Sequence, residues 1–71
     1  MWKTILHTIP KENYADLIDY CELADKQDET FTFEVQDDRV IVKSPSRNQA
    51  FRRGVLFHYR FGCFFEVVKE C

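Results

Sequence analysis

Glycine and proline are scarce in this chain, two of each in 71 residues. That leaves no room for flexible linkers or low-complexity stretches, and two glycines cannot build a phosphate-cradling loop. Long apolar runs are missing too. The opening MWKTILHTIP is too mixed for a secretory leader, and nothing approaches the roughly 18 apolar residues of a membrane span. The expectation is an unexported, cytoplasmic protein that makes no use of a membrane. Cysteine is sparse and odd in number: Cys21, Cys63 and Cys71, with no CxxC spacing. Such a set suggests neither a disulfide framework nor a zinc knuckle, and fits reduced thiols. No internal repeat is present.

What the chain has in quantity is large apolar side chains. Apolar residues make up 45% and aromatics 15%, with seven Phe, three Tyr and one Trp. That is ample for a core and rules out disorder by composition. At this length residues 1–71 are expected to form a single domain.

Charge is unevenly distributed. Residues 1–38 carry ten acids against Lys3, Lys11 and Lys26, a balance of −7. Residues 39–71 carry seven bases against Glu66 and Glu70, a balance of +5. The net charge of −2 therefore hides a dipolar molecule. An asymmetry of this kind bears on partners and association rather than on fold.

Residues 2–9 are β-branched and apolar up to Pro10 and predict a first strand, although Trp2/Leu6 and Ile5/Ile9 fall on opposite faces and leave its buried side open. Residues 11–26 switch to a helical period. Tyr14, Leu17, Ile18, Cys21 and Ala24 gather on one side, with Glu12, Asp16, Asp19 and Glu22 on another. Pro10 ahead of early acids suits a helix start. Residues 30–36 alternate, Phe31, Phe33 and Val35 against Thr30, Thr32 and Glu34. Asp37-Asp38 then marks a turn into RVIVKS, residues 39–44, a hairpin with one buried face. Ser44-Pro45 predicts the cap and first position of a helix over 45–61, stopped by Gly62. Its apolar side collects Ala50, Phe51, Gly54, Val55, Phe57, His58 and Phe61. Residues 63–70 close as a last strand. The order β-α-β-β-α-β, with right-handed crossovers about a central hairpin, predicts an α+β ferredoxin-like fold: a four-stranded antiparallel sheet with two helices on one face.

No catalytic constellation emerges. Cys63 follows Gly62 at the negative end of a helix dipole, the wrong end for a thiolate. Cys21 reads as core, Cys71 as exposed and open to adventitious oxidation. His58 reads as a hydrogen-bonded core or boundary imidazole. No ligand spacing joins His7 or His58 to the cysteines, so neither metal nor cofactor is expected. Asp16/Asp19 and Asp37/Asp38 read as a solvated helix face and a turn. Gly54, costly in mid-helix, predicts close backbone approach to the sheet or the other helix.

The segment richest in contact chemistry is the second helix. Arg52, Arg53 and Arg60 lie opposite its apolar stripe, interleaved with Leu56 and Tyr59, and Tyr and Arg are enriched in protein interfaces. A plainer alternative is intramolecular: the acidic flank of the first helix meets the basic flank of the second, in exposed pairs of under about 1 kcal/mol each. The acidic face, Glu12, Asp16, Asp19 and Glu22 with Asp28 and Glu29, has an active reading as a mimic of nucleic-acid phosphates; a solubilising surface is the simpler one. Nucleic acid is the alternative partner, held through Arg47, Arg52, Arg53 and Arg60. Against it, the first and third strands lack the aromatic pair on which RNA-recognition sheets stack bases, and the acidic half repels phosphate. The sequence thus points to a non-enzymatic, protein-binding module, an inhibitor or adaptor of the sort that phages and other mobile elements carry, that last step resting on size alone. Homodimerisation through acidic-to-basic contacts is an allied expectation.

Overall fold

The computed structural model describes residues 1–70; Cys71, and with it the expectation of an exposed terminal thiol, lies outside them. The element order is β1 (Trp2–His7), α1 (Lys11–Gln27), β2 (Thr32–Gln36), β3 (Arg39–Ser44), α2 (Arg47–Phe61) and β4 (Phe64–Lys69). The strands form one antiparallel sheet in the order β2-β3-β1-β4, with both helices on one face: the ferredoxin-like α+β architecture.

Side-chain alternation sets the two faces. Thr4 and Leu6 of β1 and Val40, Val42 and Ser44 of β3 turn toward the helices and are buried. The core they form with Leu17, Cys21, Phe31, Phe57, Phe61 and Cys63 closes around Phe57, the largest fully buried side chain. The unresolved face of β1 is settled by Thr4. It points inward because its hydroxyl donates to Ala50 O of α2 at 2.7 Å, which satisfies a buried polar group. Ile5 consequently faces outward, between Ile41 and Glu66.

Element ends shift for local reasons. β1 stops at His7, not Ile9, because Thr8 adopts φ 53° and turns the chain. β2 starts at Thr32 rather than Thr30, because the Asp28 carboxylate first accepts from the Thr30 N–H and hydroxyl. The second helix is capped two residues later than expected. Ser44 stays in β3, paired with Trp2, and Ser46 Oγ accepts from Gln49 N–H at 3.2 Å. Gly62 ends that helix at φ 73°, a left-handed conformation that glycine adopts without strain. Gly54 marks a close approach, to β4: a Cβ there would collide with the Phe65 ring.

Candidate interaction surface

α2 lies over β1 and β4 and buries Ala50, Gly54, Phe57 and Phe61. The opposite side therefore faces solvent. Arg52, Leu56 and Tyr59 stand on it, Tyr59 83% exposed. No ion pair holds Arg52 among the described residues.

Arg53 does not join this surface. Its side chain is only 11% exposed and folds back along the helix flank. Nη1 donates to Ser44 Oγ at 2.7 Å and to Lys43 O at 3.2 Å; Nη2 donates to Asp28 Oδ2 and Thr30 Oγ1, both at 3.2 Å. The guanidinium also covers the Phe31 ring at 4.9 Å. It ties the end of β3 to the turn after α1, so outward presentation gives way to an internal clamp. Asp28 is held below the usual carboxylate range, first by its hydrogen bonds from Thr30 and then by Arg53.

Arg60 occupies intermediate ground. Exposed overall, it stacks 5.1 Å above the Tyr20 ring of α1. It borders a shallow cleft of about 440 Å³ between the helices, with Asp16, Asp19 and Leu23 on the far wall. Glu12, Asp16, Asp19 and Glu22 are all exposed, and none is ion-paired among the described residues. Among the described residues, pairing between the acidic and basic segments is thus confined to Asp28–Arg53 and the turn neighbours Asp38–Arg39. The helices are joined instead by Asn13, which donates to Phe61 O at 2.8 Å, and by Tyr20, edge-on to Phe57 at 5.4 Å.

Two aromatic side chains of α2 stand further out than the helical wheel places them. Phe51, expected on the buried stripe, is 56% exposed and meets Phe65 edge-on at 5.8 Å. His58, expected as a hydrogen-bonded core or boundary imidazole, is exposed; its Nδ1 hydrogen-bonds with Cys63 O at 2.8 Å and its ring stacks on Phe64. Phe64 is itself 52% exposed. A helix lying on a sheet buries only the centre of its apolar arc, and Phe51 and His58 stand at the margin.

Elsewhere a cleft of about 790 Å³ opens under the β1–α1 connection, lined among others by His7, Lys11, Asp37, Asp38, Arg39 and Glu66. His7 Nδ1 and Thr8 Oγ1 hydrogen-bond at 3.0 Å, and charges of both signs mix around them. Thr8 contributes to the lining of the cleft at φ 53°, a turn that no sequence signal announces. Cys21 and Cys63 are buried, free thiols; burial first, then the neighbouring Cys63, pushes Cys21 up to about 12, and burial raises Cys63. Among the described residues no group of three His, Cys, Asp or Glu is placed to hold a metal ion. No described helix is long and apolar enough to cross a membrane.

Comparison of the chain with protein-family profiles, with curated proteins and with solved structures finds no match.

Proposed function

We propose that this chain is a small, non-catalytic protein-binding module whose contact surface is the solvent face of α2. One observation carries the reading: Arg52, Leu56 and Tyr59 stand outward together, with Phe51 and Arg60 at the margins. Large aromatic and arginine side chains grouped on a rigid helix are what interface anchors are made of. A protein with an acidic rim around an apolar pocket is the matching partner, its encounter steered by the α2 arginines. An inhibitory or adaptor role by steric occupation follows from a surface that offers anchors and no reactive group. The two buried reduced thiols favour an intracellular setting.

Nucleic-acid binding through Arg47, Arg52, Arg53 and Arg60 is less well supported. Arg53 is consumed internally and Arg60 rests on Tyr20. The central strands β1 and β3 turn Lys3, Ile5, His7 and Arg39, Ile41, Lys43 to the open face, with no aromatic pair for base stacking.

The test is affinity capture from a native lysate with wild type and an Arg52→Glu, Leu56→Ala, Tyr59→Ala triple variant. Arg53 is left intact because its removal would confound folding. Loss of a captured protein with an unchanged circular dichroism spectrum supports the reading. Capture that survives the triple variant refutes it. Salt-sensitive binding of labelled oligonucleotides by wild type, lost on Arg47→Glu with Arg52→Glu, favours nucleic acid instead.

A further inference from the structure

The two free edges of the sheet differ. β4 closes one side beneath α2; β2 closes the other beside α1. Edge strands carry unpaired backbone groups that invite another strand. On β4, Glu70 N–H bonds inward to Met1 O at 3.0 Å, so antiparallel alternation turns the N–H and C=O of Phe65 and Val67 outward. On β2, the Asp37-Asp38 turn closes on Gln36 and Arg39, which turns those of Phe33 and Val35 outward. All four side chains lie on the helix-bearing face.

The edges also differ in charge. α2 carries no acid; Arg53 and Arg60 turn toward α1, which leaves Arg47 and Arg52, and β4 adds Lys69 and Glu66, with Glu70 just beyond paired to Lys43. On the other side stand Glu22, Asp25, Glu29, Glu34, Asp37 and Asp38, all exposed, against Lys26 and against Arg39, which pairs with Asp38. Each edge adds uncovered apolar groups, Phe51 and Val68 on one side, Val35 (47% exposed) on the other. The charge split of the sequence thus becomes a split between the two ends of one sheet.

We infer that this protein binds a second copy of itself head to tail, the β4/α2 side of one molecule against the β2/α1 side of the next. The topology permits it without rearrangement. β1 and β2 run one way, β3 and β4 the other. A copy displaced along the sheet therefore lays its β2 antiparallel to the first β4, with its helices on the same face. Two strand spacings, about 9.6 Å, then separate α2 from the neighbouring α1, within the usual range of helix packing. That contact sets an arginine-rich helix beside an acidic one. Symmetric pairing of two β4 strands would instead bring two α2 helices, neither carrying an acid, to the same distance. Because the two contacting sides are different, each molecule keeps one of each, and growth continues beyond two copies. This association shares α2 and Phe51 with the external contact proposed above but does not rest on that reading, since it is argued from the sheet edges.

Sedimentation velocity over a concentration series, at about 20 mM and about 500 mM salt, reads it directly. The expected result is species larger than a dimer at low salt, with association at least about tenfold weaker at high salt. A monomer at every concentration overturns the proposal. Two variants at already exposed positions separate the geometries: Phe51→Lys blocks the α2 side and Val35→Lys the β2 side. Each alone should be monomeric, and their mixture should stop at a dimer, made from the one intact side of each. A dimer that persists in Val35→Lys alone indicates symmetric β4 pairing, one that persists in Phe51→Lys alone indicates symmetric β2 pairing, and either refutes the head-to-tail arrangement.

Discussion

Arg53 and Asp28, 25 residues apart in sequence, meet at 3.2 Å and join the basic half of the chain to the acidic half. The same guanidinium holds Ser44 and Lys43 at the end of β3. Replacing Arg53 by Ala strands the buried Ser44 hydroxyl and removes a planar donor that no neighbour replaces. A loss of about 1–3 kcal/mol is expected, read as a lower urea midpoint at an unchanged slope. Arg53→Lys should recover only part of it, since an ammonium cannot reach both partner pairs at once. Arg52→Ala, on the solvent side, should fall within about 0.5 kcal/mol of wild type.

Stability should depend on acid through Asp28. Thr30 and Arg53 depress its carboxyl in the folded state. A depressed acid contributes stability that is present above its unfolded value, near 3.9, and is lost as pH falls through the lower folded value. Thermal melts of wild type should therefore decline below about pH 4, more steeply than those of Asp28→Asn. The variant should be the less stable of the two at pH 7. Equal slopes would show that the ion pair and its hydrogen bonds contribute nothing to folding.

The buried thiols predict a chemical silence. With Cys21 pushed up to about 12, only about one molecule in 10,000 carries that thiolate at pH 8. In a Cys71→Ser background, a disulfide reagent should label the native protein only as fast as it opens. Both sites should react promptly in denaturing urea. Rapid native labelling of one thiol would show that its surroundings open locally.

The hairpin was legible because TFTFEV and RVIV alternate strictly and Asp37-Asp38 can do little but turn. Gly62 and the apolar run before it were legible for the same reason: a left-handed cap favours glycine. Thr4 was not. Trp2/Leu6 and Ile5/Ile9 on opposite sides leave the buried face of β1 open, and only the Ala50 carbonyl, 46 residues away, rewards Thr4 for pointing in. Arg53 shows the same limit. A helical wheel gives an angle, but a long side chain at the margin goes where tertiary neighbours offer acceptors, and Ser44 and Asp28 come from two other elements. Phe51 erred in the opposite direction, apolar yet outside, since α2 meets the sheet along a narrower strip than its apolar arc.

Gly54 sets helix propensity against packing. In an exposed helix Gly→Ala gains up to about 1 kcal/mol. Here the added methyl would overlap the Phe65 ring, which is also held edge-on by Phe51. The ring lies between helix and strand and has little room to retreat, so overpacking should win, with a net loss of about 1–3 kcal/mol. Phe65→Leu alone should also destabilise, by removing aromatic area from the α2–β4 contact. Combined with Gly54→Ala, the smaller side chain vacates the space the methyl needs, and the double variant should be more stable than the sum of the two losses predicts. Chemical denaturation of the four proteins completes the cycle. Strict additivity would mean that the two positions do not touch.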